Sequence, residues 1–387
     1  MDKRKIFIST GEISGDLYGS NLVTALLNED RNLEFWGIGH TKLKAVGVNI
    51  IADLATASTI GIFEPLKYLP RIIYTFFKVK SFFKNNRPSL VILIDNQGFH
   101  MQVAKVAKKL RIPVVYYIAP QEWLWGTDRA GLKVINNTDL ILAIFKDEAD
   151  FYKRLKGNVS FTGHPLVDIV KSQFTKNDFY RKYDIKEEKR ILSIFPGSRW
   201  QEINKTFPVL LEAAIELVKK HSDLQIFVSV SSEKFRARIE ELVKSTGLKT
   251  AIFYSDNIYD LIKNTYLSLT VSGTITVEHA LLGTPALVGY RFNKISFWLI
   301  MFLLRKKLSR IGFMALTNII FKKEVLPEFM QDKCTVENLV SVADHLLGDQ
   351  NAYLQLKDEL SGIRTFMGNE GSVNQSVKSI LQLLNRE

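Results

Sequence analysis

Cysteine is nearly missing from this 387-residue chain, with Cys334 the single example. One thiol makes no intramolecular disulfide and no clustered-cysteine metal site, which fits a reducing cytosol. Metal-binding spacings are missing as well. There is no HExxH, no paired-histidine spacing and no Asp-x-Asp, so no metal or other cofactor is expected. No apolar run is long enough to cross a bilayer. The nearest, Ile295 to Leu304, covers about half a span and is followed at once by Arg305-Lys306-Lys307. The opening MDKRKIFISTGEISGD turns polar after a short apolar run, so it reads as a first strand and not as a signal peptide. Neither repeats at solenoid periods nor low-complexity segments occur.

What is present is globular in character: 46% apolar and 24% charged residues, in a chain long enough for two domains with separate cores. Lys and Arg outnumber Asp and Glu by 52 to 40, a net charge of +12. That excess favours an anionic partner: nucleic acid, acidic lipid or a phosphorylated substrate.

Apolar periodicity predicts alternating strands and helices. In the first half, strands are expected at 5–9, 33–38, 89–94, 114–118 and 140–144, with helices at 16–27 and 101–110. The charged stretch from Gly163 to Glu188 is a candidate hinge. The second half repeats the rhythm, with strands at 190–195, 225–230, 251–254, 267–271 and 286–290 and helices at 207–220, 233–245 and 276–282. Three tail helices follow at 336–347, 352–364 and 372–384. This βαβ rhythm implies α/β halves built on parallel, doubly wound sheets, whose ligands sit outside the carboxyl ends of the strands.

The chain is organised around SGTITVEHALLGTPALVGYR, residues 272–291. A strand, the small turn Ser272-Gly273-Thr274 and a helix aim unpaired N–H groups and a positive dipole end at one point, a geometry that binds phosphate. Glu278, one turn inside, can accept hydrogen bonds from a sugar diol, and Arg291 at the end of the next strand can add positive charge. The plainer reading is an ordinary βαβ unit with a polar turn. Gly197, Ser198 and Arg199 follow the first strand of the second half. Gly197 lets backbone approach a ligand, and Arg199 offers a fork for phosphate.

Two carboxylates stand out in the first half. Glu12 lies in TGEISGD, which is neither a Walker loop nor GxGxxG; it faces sugar hydroxyls or a transferring proton, or is a solvated loop residue. Asp95 ends the most apolar strand. Such a position suits a general base, and it equally suits a cap for the turn Asn96-Gln97-Gly98. The two tryptophans of Ala119 to Gly126 line a ligand wall or pack the domain, and His164, alone in its loop, reads as structural. Residues 63–83 and 295–310 mix aromatic and aliphatic side chains with Lys and Arg. They read either as core-facing helices with basic outer faces or as contacts with an anionic membrane. The membrane is favoured over nucleic acid, which calls for polar stacking platforms.

With those residues in view, the chain resembles the lipid-A-disaccharide synthase family, inverting glycosyltransferases of the GT-B fold. The likeness rests on TGEISGD (10–16), GIG (37–39), IGIFE (60–64), ID..GF (94–99), AP.EWLWG (119–126), GHPLVD (163–168), PGSR..EI (196–203), SGT...E (272–278), GYRF....FW (289–298) and the stretch around Asn318. The resemblance implies two Rossmann-like domains facing a cleft: 1–168 on the acceptor side, 169–365 binding the UDP-sugar, and 366–387 a helix packing back on the first. It implies transfer of 2,3-diacylglucosamine from UDP to 2,3-diacylglucosamine 1-phosphate, at the cytoplasmic face of the membrane. Asp95 or Glu12 would take the acceptor proton. Gly197, Ser198, Arg199, Ser272, Gly273, Thr274, Glu278, Arg291 and Asn318 would hold the donor. A monomer or a homodimer fits. The chain departs from the family pattern at Gln97-Gly98-Phe99-His100, where many members read Pro-Asp-Phe-Asn. It departs also at His40-Thr41, Thr317 and Lys323, on the substrate side. Two other classes are compatible with the residues: a different UDP-sugar enzyme, such as another glycosyltransferase or a UDP-N-acetylglucosamine epimerase, and a non-catalytic paralogue that binds lipid or nucleotide.

Overall fold

The structure, a computed structural model, describes residues 3–54, 64–248, 251–291 and 312–385. The apolar, basic stretch 295–310 and most of the IGIFE motif lie outside the described residues. The chain divides into two compact units, Met1–Ile169 with Met367–Glu387, and Val170–Phe366.

In the first unit the described strands are β1 (Arg4–Thr10), β2 (Leu33–Ile38), β3 (Asn49–Ala52), β4 (Leu90–Ile94), β5 (Val114–Tyr117), β6 (Leu140–Ala143) and β7 (Val159–Phe161). They form a parallel sheet in the order β3-β2-β1-β4-β5-β6-β7. The chain winds outward from β1 in one direction and from β4 in the other, so the switch point lies between these two strands. There Thr10 pairs with Ile94, and Glu12 and Asp95 come immediately after. All five side chains of β4, LVILI, are buried, as expected of a central parallel strand covered on both faces.

The second unit repeats the plan with β8 (Arg190–Phe195), β9 (Leu224–Ser229), β10 (Ile252–Tyr254), β11 (Leu267–Val271), β12 (Ala286–Tyr290) and β13 (Glu328–Met330). Its order is β10-β9-β8-β11-β12-β13, again parallel. Its switch point lies between β8 and β11, where Phe195 pairs with Thr270. The Pro196–Arg199 loop leaves one strand there and the Ser272–Thr274 turn leaves the other.

Two departures from the sequence-based expectations matter, at 101–110 and in the tail, and the 63–83 stretch takes its helical reading. The helix expected at 101–110 spans Gln97–Lys109, because the chain reverses at Asp95 and Asn96 and begins to coil at once; Gly98 and His100 therefore stand in its first turn. Residues 64–86 form one helix. Its inner face sends Val79 and Phe83 into the core, where Phe83 meets Phe7 edge-on at 4.9 Å, while Leu69, Ile73, Tyr74 and Phe77 are exposed. The tail segment expected as a single helix at 352–364 is two, Gln350–Ser361 and Ile363–Met367, parted at Gly362.

The last helix, Ser372–Leu384, packs on the Ile13–Glu29 helix of the first unit. Its first N–H groups have no partner within the helix. Asp168 supplies one: its carboxylate accepts from Gly371 N at 2.7 Å and Val373 N at 2.9 Å, while Ser372 Oγ donates to Gly163 O at 2.7 Å.

Candidate active site

Asp95 follows β4 with φ at 56°, in the left-handed region that a side chain with a Cβ rarely adopts. Its carbonyl is pinned twice. Tyr116 Oη donates to it at 2.8 Å, and His100 Nδ1 lies 2.7 Å from it. A carbonyl can only accept, so His100 carries its proton on Nδ1. Nε2 is then the acceptor for Ser9 Oγ at 2.8 Å, from the middle of the sheet. Burial pushes the His100 imidazole down to about 4, and it is neutral. Strain at Asp95 is thus held by a hydrogen-bonded pair of side chains from two neighbouring elements.

Crowding by surrounding protein atoms, and then the Glu12 carboxylate, push the Asp95 carboxyl up to about 6, against a smaller lowering by the Asn96 N–H. The side chain nevertheless reaches solvent, so the shift comes from dense neighbours and not from enclosure. A sugar that covered the group would push it higher. Glu12 opens the Ile13–Glu29 helix. Gly11 just before it allows the close approach of Asn96, whose side chain occupies the place a Cβ would need. Two carboxylates at one switch point are suited to accepting a proton from a bound hydroxyl.

In the second unit the Ser272–Thr274 turn leads into the Thr274–Leu282 helix, and no side chain caps that helix. Ser272 Oγ donates to Met314 O at 3.0 Å and Thr276 Oγ1 to Gly273 O at 2.9 Å, which fixes the turn and leaves the helix start facing outward. Glu278 is buried, with Tyr259 Oη donating to its Oε1 at 3.5 Å. His279 is pinned as His100 is: Nδ1 donates to Ile275 O at 2.8 Å, and Nε2 accepts from Ser268 Oγ at 2.9 Å, which in turn meets Ser193 Oγ at 2.8 Å.

Several expected donor groups are engaged by the protein itself. The carboxylate of Glu202, almost fully buried, accepts from Ser198 N at 2.8 Å, Arg199 N at 3.1 Å and Arg199 Nη1 at 2.9 Å. The Pro196–Arg199 loop therefore wraps an internal anion, and an added Cβ on Gly197 would strike that same carboxylate. Arg291 donates from Nε and Nη2 to Cys334 O at 3.0 and 2.6 Å. Asn318 has its whole side chain in use: Oδ1 accepts from Val325 N and Leu326 N, and Nδ2 donates to Leu326 O and Glu328 Oε2. It is a buried clamp for its own loop. Glu122 of the aromatic loop accepts from Gln97 Nε2.

Among the described residues, no three His, Cys, Asp or Glu side chains gather closely enough to hold a metal ion, and no helix is long and apolar enough to cross a membrane. Sequence reasoning missed Ser9, Tyr116 and His279. A Ser near the end of the first strand of each half was visible, but nothing local marked its partner.

A family model described as lipid-A-disaccharide synthetase matches residues 6–382. The chain belongs to the lipid-A-disaccharide synthase family. It is a glycosyltransferase of lipid A disaccharide synthesis. A lipid-A-disaccharide synthase of Geobacter metallireducens is 32% identical over 384 residues, covering 99% of this chain and 98% of its own. That of a Sulfurihydrogenibium species is 32% identical, covering 99% of both. Among solved structures, the S. aureus MnaA–UDP co-structure superposes with a TM-score of 0.66 at 18% identity, over 99% of this chain and 97% of that one. The UDP-GlcNAc 2-epimerase of Neisseria meningitidis bound to UDP-GlcNAc gives 0.64 at 12%, over 98% and 100%. At these identities the likeness is one of fold, the two-sheet GT-B architecture.

Proposed function

We propose that the chain transfers 2,3-diacylglucosamine from its UDP derivative to 2,3-diacylglucosamine 1-phosphate, with inversion, and releases UDP. The observation that carries this reading is chemical: carboxylates stand at the switch point of the first unit and an uncapped helix start at that of the second. Asp95 takes the proton of the acceptor hydroxyl as its oxygen attacks the anomeric carbon. Glu12 keeps Asp95 basic and bonds sugar hydroxyls. As the bond to UDP breaks, negative charge grows on the β-phosphate. The Ser272-Gly273-Thr274 turn, the N–H groups of the helix behind it and Arg199 offset that charge, without a metal ion. Glu278 holds the ribose. Arg291 and Asn318 serve the donor side by fixing the loops around it.

Placement at the inner face of the cytoplasmic membrane completes the reading. The 64–86 helix exposes Leu69, Ile73, Tyr74 and Phe77 beside Arg71, Lys78, Lys80 and Lys84, an apolar and cationic face suited to an anionic bilayer. No nucleic acid is needed.

Turnover in detergent of both acylated substrates, following lipid product and UDP, tests the proposal. Disaccharide phosphate with equal UDP supports it. Release of UDP without disaccharide refutes the acceptor assignment, and no turnover by protein that binds UDP refutes the reaction.

A further inference from the structure

A cavity of about 640 Å³ opens in the first unit, bordered by Glu12 and reaching the 64–86 helix. Its mouth is polar and lies at the switch point, where Glu12, Asn96 and Gly98 border it. Its depth is apolar. Leu54 follows β3, Ile72, Ile73, Phe76 and Phe77 come from the 64–86 helix, with Ile73 and Phe77 open to solvent, and Phe99 comes from the helix after β4. Leu54 and Phe99 are themselves core residues, and Phe76 meets Phe99 edge-on at 6.5 Å between ring centroids. On the Leu54 and Phe99 side the wall is thus continuous with the packed core. The volume falls within the roughly 300–1,000 Å³ of ordinary single-ligand pockets.

Such a cavity suits an amphiphile whose head lies at the carboxylates and whose hydrocarbon runs inward. Glu12 belongs both to the mouth and to the surroundings of Asp95, so the head is the group whose proton Asp95 accepts. Gly98 has an ordinary φ, and a Cβ built on it meets nothing within 4 Å. A side chain there is compatible with the fold and would fill the entrance.

We infer that this cavity takes one acyl chain of the acceptor, and that Gly98 at the entrance with Ile72 and Phe76 in the depth sets the accepted chain length. The inference rests on the proposed reaction for the identity of the head group; the cavity's preference for a hydrocarbon chain does not.

The test is kcat/KM for acceptors whose acyl chains are stepped by two carbons, in mixed micelles with one fixed donor, for the parent chain, Gly98→Leu and Phe76→Ala. The parent shows an optimum, with about a tenfold loss for each two-carbon truncation. Gly98→Leu moves the optimum to shorter acceptors and Phe76→Ala to longer ones, while a matching donor series does not move. An unchanged length profile in both variants, or movement in the donor series alone, overturns the inference. Ile72→Ala replaces Phe76→Ala if the latter melts early. A second measurement separates the two readings: an acceptor with a photoreactive chain terminus is cross-linked to the parent protein. Label on Ile72, Phe76 or Phe99 supports the cavity even if no disaccharide forms, in which case the reaction assignment alone fails. Label confined to Leu69 and Tyr74 means that the chain stays at the outer surface, and the inference falls while the reaction stands.

Discussion

The imidazole of His100 holds the main chain of Asp95: its Nδ1–H donates to the Asp95 carbonyl at 2.7 Å, one residue before the chain turns into the helix that carries His100. Left-handed backbone at a residue with a Cβ is strained by on the order of 1–3 kcal/mol, so this anchor sets where the Asp95 carboxylate points. His100→Ala removes the donor and leaves Ser9 with a buried, unpartnered hydroxyl. It is expected to destabilise the first unit by about 2–4 kcal/mol and to lower kcat on the order of 100-fold through misplacement. His100→Asn retains an N–H and should restore most of kcat. Equal loss in both variants, at equal melting temperature, would show that the imidazole itself is needed. Full activity of the alanine variant would remove the anchor from the mechanism.

Asp95 must be ionised to accept a proton, and its carboxyl titrates near 6. The rate is therefore expected to rise with pH through about 6. Glu12 contributes to the raised value, so Glu12→Gln should move that acidic limb to lower pH. Asp95→Asn should abolish turnover while UDP still binds. These outcomes are read from kcat/KM profiles and from UDP titration. An acidic limb that stays in place in Glu12→Gln would separate the two carboxylates.

The parts of this architecture legible in the sequence are those set locally. Strand β4 announced itself as LVILI, and the Thr274–Leu282 helix by Gly283 and Pro285 behind it, because burial on both faces and helix termination leave marks within a few residues. The short edge strands β7, β10 and β13 leave little periodicity in three residues, and only β10 was expected. The site was legible as positions and less so as partners. Glu202 was visible beside Arg199, but a run of residues does not tell that one carboxylate will saturate the whole loop. Asp16 sits in a glycine-rich motif that reads as ligand-binding. Its oxygens instead accept from His40 N at 2.6 Å and Lys42 N at 2.8 Å, capping a helix on another segment. Such roles depend on contacts distant along the chain, which local pattern does not encode.

The Arg199–Glu202 pair has one partner almost fully buried and the other a quarter exposed. Removing either leaves a charge without compensation, which costs about 3–5 kcal/mol for a buried pair. Arg199→Ala is thus expected both to weaken UDP binding and to lower the melting temperature, whereas Glu202→Gln keeps an acceptor for one loop N–H and should lose less. Calorimetric titration of UDP together with thermal unfolding checks both. If Arg199→Ala leaves the UDP affinity intact, the residue serves the loop alone.

Burial lowers three histidines, His100 and His279 to about 4 and His164 to about 3. An unfolded chain binds a proton on each below about 6.5, and the folded one does not until lower pH. Their contribution is complete above 6.5 and is lost as pH falls towards 4, with a slope approaching about 1.4 kcal/mol per pH unit for each. Glu148, raised by burial to about 8, and Asp95, raised to about 6 by crowding neighbours and the Glu12 carboxylate, act the opposite way, because the folded state holds their protons longer. The histidines outnumber them, so stability to urea should fall from pH 6.5 to 4. His279→Gln should flatten that slope by about one proton. A slope unchanged by the substitution would mean that His279 is protonated in the folded state.

Asp168 ties the chain's last helix to the first unit across more than two hundred residues of intervening sequence. Its two oxygens accept from Gly371 N and Val373 N, at the positive end of a thirteen-residue helix with no cap of its own. Asp168→Asn keeps one acceptor and loses the charge; Asp168→Ala loses both. Caps of this kind are worth about 0.5–2 kcal/mol, and a carboxylate near a helix start adds about 0.3–1 kcal/mol. Expected losses are therefore about 1 kcal/mol for Asn and about 2–3 kcal/mol for Ala. Because the helix packs on Ile13–Glu29, whose first turn follows Glu12, loosening it should also speed amide exchange at that turn. Exchange measured residue by residue separates the two ideas: protection lost at both 372–376 and 13–16 supports the coupling, and protection lost in the last helix alone limits Asp168 to capping.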